Sequence, residues 1–375
     1  MIFKQCSRCL LDTTVSSIRF DENGICNFCK SHDILSNQYK DENTNKRNLE
    51  ILIDKIKKSC KGKDFDCIVG ISGGTDSSYT LHLTKKLGLR ALAVHFDNGW
   101  NTDQSVSNVK KITEKLKIDL ETYVVDWEEF KDIQISFLKA STPCIEAPSD
   151  VAIHAVLFKT AKKEKIKYIL GGQSFKTEGT VPREWSYLDG TYINSVHNKF
   201  GNGKLKTFPN LSLFEIAYYT FIKGIRNIPF LNYFNYDKLE AKSLLASEYG
   251  WVDYGGHHYE NNYSKFAFGY YLPKKFGIDK RKVSLSGPVR SGLMSREDAQ
   301  KIINEKPNVD DTLVEFTYNK LGITKDEYLD LFNLPQKSYK DYFTSESILK
   351  YFKLPIYIAV KMDILTPVLY QKYFK

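Results

Sequence analysis

Short apolar runs alternate with amphipathic segments through the first half of this chain. Four of these runs predict strands: DCIVGIS (66–72), RALAVHFDN (90–98), LETYVVD (120–126) and KYILGG (167–172). The segments between them carry apolar residues at helical spacing. Continuous apolar strands joined by helical crossovers are typical of parallel sheets, because such strands are buried on both faces. The pattern therefore predicts an α/β fold with a parallel sheet, and ligands are expected at the carboxyl ends of its strands.

The regions that flank this alternation differ from it in character. The first 35 residues contain four of the seven cysteines, and a polar linker follows them. After about Gly179 the alternation stops, and from about residue 236 the patterns are mainly helical. Capping-box forms at Ser295–Asp298 and Thr324–Glu327 support this helical interpretation. We therefore predict three domains: 1–35, 36–235 and 236–375.

The cysteines of the first domain form two close pairs. Cys6 and Cys9 are separated by two residues, as are Cys26 and Cys29, and sixteen residues lie between the pairs. Each pair fits a tight turn that presents two thiolates to one ion, and this spacing is typical of structural zinc sites. Four protein ligands leave no open position, so a structural Zn²⁺ in a zinc ribbon is predicted.

A glycine-rich loop, VGISGGTDSS, spans residues 69–78 at the point where the first predicted strand ends and a helix begins. Its glycines allow close backbone approach, and free N–H groups at a helix start favour an anion. A Walker loop requires a lysine that reaches the β and γ phosphates, and this loop has none. The dinucleotide pattern G-x-G-x-x-G does not fit either. The alternative is a plain glycine turn that opens a helix.

The loop residues Ser72-Gly73-Gly74-Thr75-Asp76-Ser77 resemble the S-G-G-x-D-S signature of the PP-loop ATP pyrophosphatases. This resemblance implies that the loop grips the pyrophosphate part of ATP with the help of Mg²⁺. A substrate oxygen then attacks the α-phosphorus, which gives an adenylated carbonyl group and free pyrophosphate. The residues assigned to the nucleotide in this way are Gly70, Ser72, Gly73, Gly74, Thr75, Asp76, Ser77 and Ser78, and Asp76 is also expected to position the metal.

Two further segments resemble parts of the same family. VHFDNGW (94–100) is similar to the stretch that cradles adenosine, which makes Phe96 and Asp97 candidates for the nucleotide. ILGGQSFKTEG (169–179) is similar to the segment that closes over the nucleotide and reaches the substrate. Its candidates are Gly171, Gly172, Gln173 and Glu178. For the aromatic residues of the first segment, a place in the core is the alternative.

The cysteine count separates sulfur from nitrogen as the nucleophile. Sulfur-transferring members of the family need a cysteine pair or an iron–sulfur cluster near the ATP. Outside the zinc set, only Cys60, Cys67 and Cys144 are present, and Cys144 is expected to be a small buried apolar residue. Ammonia is therefore the expected nucleophile. Residue 2 is Ile2 rather than a glutaminase cysteine, so we expect glutamine to be hydrolysed by another protein.

The block GWVDYGGHHYENNYSKFAFGYYLPKKFGIDKRKVSLSGPVRSGLMSREDA (250–299) resembles the N-acetyl sugar amidotransferases. These enzymes of surface-polysaccharide and flagellin-sugar biosynthesis convert an acetamido group to an acetamidino group. The segment GPVR at 287–290 differs from the sequence that is usual at this position in the family. The resemblance implies an acetamido-sugar substrate, and ammonia supplied by a glutaminase subunit paired with a synthase subunit like those of histidine biosynthesis.

The same block offers side chains for a sugar pocket in the region 236–375. His257, His258 and Glu260 are proton-transfer candidates, and together with Asp76 and Glu178 they form the predicted catalytic set. Tyr254 and Tyr270 are candidates for stacking on a sugar ring. Each of these residues also has an ordinary structural alternative. Four cations are candidates for binding a carboxylate or a nucleotide diphosphate: Lys265, Arg281, Lys282 and Arg296.

Net charge and hydropathy limit the ligand classes and the cellular locations that the sequence allows. The 54 basic and 45 acidic residues give a net charge of +9, which suits an anionic ligand and also permits a tRNA-modifying, thiolating enzyme. Nucleic acid is not expected as a partner, because that alternative needs additional functional cysteines. The N-terminus lacks an apolar signal segment, and Lys361 and Asp363 interrupt the late apolar run. A cytoplasmic enzyme without membrane contact is the expectation.

Overall fold

The protein is built around one parallel β-sheet. The computed structural model describes residues 3–39, 41–256, 258–305, 309, 311–362, 364–365, 370 and 373–374. The sheet has five strands in the order β3-β2-β1-β4-β5, and all neighbouring pairs are parallel. Their bounds are β1 (Cys67–Gly70), β2 (Ala91–Asp97), β3 (Asp119–Val124), β4 (Tyr168–Gly171) and β5 (Arg226–Pro229). The predicted α/β fold with a parallel sheet is confirmed.

Helices cover both faces of the sheet and make up most of the C-terminal region. The α-helices are α1 (Asn27–Gln38), α2 (Glu42–Ser59), α3 (Thr75–Lys86), α4 (Asp103–Leu116), α5 (Trp127–Ala140), α6 (Ala147–Lys163), α7 (Gly190–Phe200), α8 (Leu213–Ala217), α9 (Lys238–Tyr249), α10 (Asn262–Phe266), α11 (Arg281–Arg290), α12 (Arg296–Asn304), α13 (Asp311–Lys320), α14 (Lys325–Asn333), α15 (Glu346–Leu349) and α16 (Lys353–Lys361). Two π-helical segments, Tyr218–Ile222 and Ala267–Phe276, continue α8 and α10. Short 3₁₀ turns span Phe230–Tyr233, Tyr339–Asp341 and Lys350–Phe352.

Alternate residues of the central strands enter two separate cores. Ile68 and Leu92 pack in one core, whereas their neighbours Val69 and Ala93 pack in the other. This division follows from the two-residue period of a strand, which sends successive side chains to opposite faces. A central strand of a parallel sheet with helices on both faces must therefore be apolar throughout, as the sequence of β1 is.

The direction of chain progression through the sheet reverses between β1 and β4. From β1 the chain moves outward to β2 and β3, and α6 then returns it to the other side of β1, where β4 and β5 follow. The loops after β1 and β4 consequently leave the sheet side by side. In open α/β sheets this position forms a crevice at the carboxyl ends of the strands, where ligands bind.

Strand β5 was not predicted from the sequence. It pairs with β4 in the register Tyr168↔Arg226 to Gly171↔Pro229. Its sequence, Arg-Asn-Ile-Pro, is short and half-buried, and two of its four residues are polar, so it lacks a recognisable apolar run. Proline is tolerated here because an edge strand needs only one of its sides for the ladder.

The predicted helical character of the C-terminal region is confirmed. Thr324 and Glu327 form a complete capping box at α14, whereas Ser295 at α12 makes only the forward bond, accepting from the Asp298 N–H. In the part of the chain that the structure describes, no helix combines the length and apolar character needed to cross a bilayer. Within the late apolar run, α16 covers only nine residues.

Candidate active site and metal centre

The loop after β1 turns sharply into the N-terminus of α3. Gly73 has a φ of +81°, and a Cβ at this position would lie 2.3 Å from the Ser105 carbonyl oxygen, so glycine is required. The Oγ atoms of Ser72 and Ser77 lie 3.3 Å apart across the loop. The Gly73 carbonyl accepts a 2.8 Å hydrogen bond from Trp251 Nε1. The loop is therefore fixed both internally and from the C-terminal region.

Tyr254 lies over the end of α3 that is suited to anions. Burial raises the pKa of the Tyr254 hydroxyl, and the neighbouring Thr75 N–H opposes this shift. A Cβ on Gly74 would lie 2.8 Å from this hydroxyl oxygen, so the contact with the loop is close. Backbone N–H groups and the helix dipole attract negative charge at this position. Predicted to stack on a sugar, Tyr254 instead contacts the predicted nucleotide loop through its hydroxyl.

Asp76, in the first turn of α3, accepts hydrogen bonds from two residues that sequence reasoning missed. The Tyr236 hydroxyl donates to Oδ1, and Lys238 Nζ lies 2.8 Å from Oδ2. Burial lowers the pKa of Lys238, but the charges of Asp76 and Glu178 outweigh it and raise the pKa overall. Lys238 therefore remains an ammonium group and brings to the loop the positive charge that its own sequence lacks.

The segment after β4 brings Glu178 to the same place. The backbone of Gly172 lies against Asp76, since a Cβ on Gly172 would be 2.9 Å from the Asp76 carbonyl carbon. Burial and the charge of Asp76 raise the pKa of Glu178 to about 7, although His258 and Lys238 oppose this shift. A carboxyl group with a pKa near neutrality is suited to proton transfer.

Glu260 and His258 are held at the carboxyl end of β2. The Thr102 N–H donates to the Glu260 carbonyl, and the Asn262 N–H donates to the Trp100 carbonyl. His258 Nδ1 lies 3.6 Å from Glu260 Oε1. Burial opposes ionisation of both side chains, yet their mutual attraction raises the pKa of His258 and lowers the pKa of Glu260. They form an ion pair beside the phosphate loop.

Other predicted nucleotide residues have different surroundings. Phe96 packs against Tyr123 and Phe130 at centroid distances of 6.2 and 6.5 Å, which is the core position considered as its alternative. Asp97 Oδ1 accepts the Gly99 N–H at the end of β2. Gln173 is exposed after β4. The remaining predicted nucleotide residues lie at the strand ends or in the loop: Gly70, Gly171, Ser72, Ser77 and Ser78. His257 lies outside the described residues.

Three of the predicted substrate cations have structural contacts instead. Arg281 binds Asp279 and the backbone carbonyls at the end of α12. Lys282 Nζ lies 2.5 Å from Asp12, and Arg296 donates to Gln5 and to the carbonyls of the first cysteine pair. Sequence reasoning could not identify the partners of Lys282 and Arg296, because they are distant in the chain, whereas Asp279 lies only two residues before Arg281. The fourth cation, Lys265, packs over the ring of Tyr259. Tyr270, which was predicted to stack on a sugar ring, packs against Phe266.

A second charged group, also missed, lies beside His258. It contains Glu146, which precedes α6, Asp150 in the first turn of α6, and Lys280. Burial raises the pKa of Glu146 to about 7, and the charges of Asp150, Lys280 and His258 act on it. Burial lowers the pKa of Lys280, although Asp150 and Glu146 oppose this shift. The acid–base groups of the crevice therefore extend beyond the phosphate loop.

The four paired cysteines meet in one buried cluster. Their sulfur atoms lie within 4.8 Å of one another, and the hydrogen-bonded pairs are separated by 3.6 to 3.8 Å. Zinc–sulfur bonds of about 2.3 Å in a tetrahedron would put the sulfurs about 3.8 Å apart. This spacing fits a single metal ion such as Zn²⁺, and it is too narrow for an iron–sulfur cluster to fit among the four atoms.

Arg290, at the end of α11, completes the surroundings of this metal centre. Its Nη2 lies 3.1 Å from Cys9 Sγ, and its Nε lies 3.4 Å from Cys29 Sγ. Burial opposes the charge of Arg290, but the cysteine thiolates raise its pKa. A cation that donates to the ligating sulfurs offsets the negative charge of four thiolates around one divalent ion. The segment GPVR (287–290), which differs from the motif usual in the resembled family, therefore ends in Arg290, which contacts the cysteine cluster.

Two family comparisons cover separate parts of this site. Residues 260–355 match the family described as LPS biosynthesis protein WbpG-like, C-terminal domain. Residues 66–168 match the family described as Queuosine biosynthesis protein QueC. The second match contains the phosphate loop, and the first begins at Glu260. A comparison with curated proteins gives no match.

Three solved structures are similar to the chain at low identity. NMN synthetase from Francisella tularensis has 16% identity over 56% of this chain and 88% of its own, with a TM-score of 0.29. NH3-dependent NAD synthetase from Campylobacter jejuni has 12% identity over 78% and 98%, with a TM-score of 0.31. U34-tRNA thiolase NcsA from Methanococcus maripaludis has 12% identity over 87% and 100%, with a TM-score of 0.31.

The two sequence matches cover defined segments of the chain, whereas the structural similarity is weak, with TM-scores of 0.29 to 0.31. The two matched regions meet in three dimensions where Glu260 approaches Gly74 of the phosphate loop. Of the residues that face the loop, Glu260 lies in the segment matched to the WbpG-like domain, whereas Tyr236, Lys238 and Tyr254 precede it. The chain therefore combines a segment similar to the QueC family with a later segment similar to the WbpG-like C-terminal domain.

Proposed function

We propose that the protein is an ATP-dependent amidotransferase that converts the acetamido group of an N-acetylated sugar to an acetamidino group. The observation that carries this proposal is the meeting of the phosphate loop with Glu178 and the His258–Glu260 pair. A match to a domain described by its role in LPS biosynthesis supports a substrate from a bacterial surface polysaccharide or flagellin sugar.

The loop is suited to holding pyrophosphate as a leaving group. It offers N–H groups at the start of α3, the hydroxyls of Ser72 and Ser77, and the nearby charge of Lys238. Such fixed donors stabilise the charge that develops on the departing phosphates. Asp76 is the loop carboxylate that would hold Mg²⁺, and the ion would supply further charge neutralisation.

The proposed reaction has two chemical steps. The carbonyl oxygen of the acetamido group attacks the α-phosphorus of ATP, forming a C–O–P linkage and breaking the bond to pyrophosphate. Ammonia then adds to the same carbon, and AMP leaves with the former carbonyl oxygen. Loss of one proton from nitrogen gives the amidinium product, and the carboxylates of Glu178 and Glu260 are candidates to accept this proton.

We propose that ammonia reaches this protein from a glutaminase subunit paired with a synthase subunit of the histidine-biosynthesis type. The reaction chemistry requires a nitrogen donor. The cysteines outside the metal centre weigh against sulfur transfer: Cys67 begins β1 at the end of the sheet opposite the loop, and Cys144 Sγ accepts the Tyr187 N–H in the core. The thiolating alternative predicts tRNA binding that weakens steeply with salt.

Isotope labelling tests the proposed reaction directly. The protein is incubated with ATP, Mg²⁺, ammonium and a panel of acetamido sugars that carry ¹⁸O in the acetamido carbonyl. We expect AMP, pyrophosphate and an amidine product whose mass reflects replacement of O by NH, and we expect the label in AMP because its oxygen comes from the carbonyl. A panel that yields neither AMP nor amidine contradicts the proposal, and an unlabelled AMP contradicts the adenylation step.

A further inference from the structure

Among the buried side-chain atoms without a hydrogen-bond partner in the described residues, four belong to residues that contact Ser264 or Phe266. They are Glu146 Oε1 and the hydroxyl oxygens of Tyr263, Tyr271 and Tyr328. Glu146 is 7% exposed, and the three tyrosines are at most 2% exposed. Buried polar groups are nearly always paired, so a group of unpaired ones indicates something that binds between them.

These side chains belong to one cluster. The rings of Tyr263, Tyr271 and Tyr328 all pack on Phe266, at centroid distances of 5.9, 6.0 and 6.1 Å. Glu146 Oε2 accepts a 2.5 Å hydrogen bond from Ser264, the residue after Tyr263, which leaves Oε1 as the unpaired oxygen. The cluster thus joins the start of α6 to α10.

The cluster is also connected to the strand ends of the crevice. The Ser264 N–H donates to Asn261 Oδ1, whose side-chain amide donates to Asn98 Oδ1 at 3.0 Å. Asn98 directly follows β2, and Asn261 follows Glu260. Glu146 is therefore coupled by hydrogen bonds to the same backbone that positions the His258–Glu260 pair.

The chemistry of the cluster suits a small cation with N–H donors. A carboxylate oxygen accepts such donors strongly, and tyrosine hydroxyls accept them as well. The surrounding aromatic rings, including Trp100 at 5.2 Å from Tyr263, attract a cation through their faces. A water molecule can donate to two acceptors at most, whereas an ammonium ion can donate to all four of these atoms.

We propose that Glu146 and the Tyr263 hydroxyl bind the ammonium ion that provides the nucleophile. The role of this ion in catalysis rests on the proposed amidotransferase function, whereas its binding does not. After binding, the ammonium ion transfers one proton to the Glu146 carboxylate, which becomes a carboxylic acid. The ammonia that remains has a free electron pair for attack on the activated carbon.

The charges around Glu146 support this transfer near neutral pH. Burial and the charge of Asp150 raise the pKa of Glu146 to about 7, although Ser264, Lys280 and His258 oppose this shift. The carboxylate is ionised above this pKa and protonated below it. Ammonium binding should therefore weaken as the pH falls through about 7.

The test needs neither sugar nor turnover. The melting temperature of the full chain is measured while NH₄Cl replaces NaCl at constant ionic strength, and the concentration dependence gives an apparent affinity. We expect ammonium to stabilise the wild type, and Glu146→Gln to weaken its affinity about tenfold or more, because a charged acceptor is lost. Tyr263→Phe removes a hydroxyl without a protein partner, and we expect a loss of about two- to tenfold.

Tyr187→Phe is the matched control. Tyr187 is fully buried, but its hydroxyl already donates to Asp189 at 3.2 Å, so the ammonium affinity should stay unchanged. Equal stabilisation by NH₄⁺, K⁺ and Na⁺, or unchanged affinity in Glu146→Gln, overturns the site. Loss of the stabilisation in the variants, without any amidine formation by the wild type, would retain the site and reject the amidotransferase function. Amidine formation with an unchanged ammonium KM in Glu146→Gln would support the amidotransferase function and reject the ammonium site.

Discussion

Lys238 and Lys242 extend from the same helix one turn apart, and their side chains are equally exposed at 31%. Lys238 pairs with Asp76 at the phosphate loop, whereas Lys242 pairs with Asp253 outside it. The two lysines have the same side chain and differ in the carboxylate with which each forms an ion pair. They therefore allow the effect of one positive charge on the site to be separated from its effect on the helix.

Replacing Lys238 should change the titration of Glu178. The charge of Lys238 lowers the Glu178 pKa, which lies at about 7, so Lys238→Met should raise this pKa further, by about half to one unit. The affinity for ATP should fall about tenfold, because a charge-assisted contact is lost. NMR titration of labelled glutamate carboxyls and nucleotide binding measure the two effects.

Lys242→Met provides the comparison for this prediction. This substitution removes only the pairing with Asp253, so we expect the Glu178 pKa and the ATP affinity of the variant to equal those of the wild type. If both variants shift Glu178 alike, the effect comes from the net charge of the helix, and the assignment of Lys238 to the loop is wrong.

At the scale of elements, α11 connects the metal centre with the segment that carries Glu178. Arg290, at its end, donates to two of the cysteine sulfurs. Gly287 packs so closely that a Cβ would lie 2.7 Å from the Gly179 nitrogen and 3.2 Å from the Glu178 nitrogen. Ser291 Oγ contacts the Lys176 carbonyl at 3.3 Å just beyond the helix. The position of Glu178 therefore depends on where this helix lies.

Gly287→Ala should displace the Glu178 segment. The added methyl group meets backbone atoms, so we expect the free energy of unfolding to fall by about 1–3 kcal/mol. Amide hydrogen exchange should also rise in residues 174–179. Ser284→Ala on the same helix is the control, because its hydroxyl contacts only the Arg281 carbonyl. Unchanged exchange in the glycine variant would show that the segment is positioned independently of α11.

The sequence predicted those elements whose residues carry a local signal. Strands β1, β2 and β4 were recognised within a few residues because each is a short apolar run between helical patterns. Strand β3 was also located, although its side chains are mostly exposed. The loop was recognised because its glycines and hydroxyls are consecutive. Strand β5 was missed because an edge strand with one buried side can be polar. Its pairing with β4 is a long-range contact that no local pattern contains.

At the scale of the whole molecule, the site assembles groups from Asp76 to Glu260. The predicted residues Asp76, Glu178, His258 and Glu260 were found close together, because motifs in three separate segments pointed to the same sheet edge. Tyr236, Lys238 and Glu146 belong to no motif, so only the fold reveals them. The predicted cations Lys282 and Arg296 contact the N-terminal domain, and Arg281 contacts Asp279 and the carbonyls at the end of α12.

Removal of the metal should affect the whole molecule. The four sulfurs form a buried cluster that also contacts α11, so chelation should lower the melting temperature by about 10 °C or more. Metal analysis should find one zinc per chain before treatment. Chelator preloaded with zinc is the control. An unchanged melting temperature after complete metal loss would contradict a structural role for the cysteine cluster.

The Tyr254 hydroxyl described above lies against the phosphate loop, where a Cβ on Gly74 would be 2.8 Å from its oxygen. A phosphate group that approaches the start of α3 closely must displace this hydroxyl. The affinity for a nucleotide is then the difference between the contacts that its phosphates gain and those that Tyr254 loses. Small anions with few other contacts should therefore bind weakly, whereas a triphosphate that also reaches Lys238 and the hydroxyls of Ser72 and Ser77 should bind well. We expect Tyr254 to favour polyphosphates over small anions at this loop.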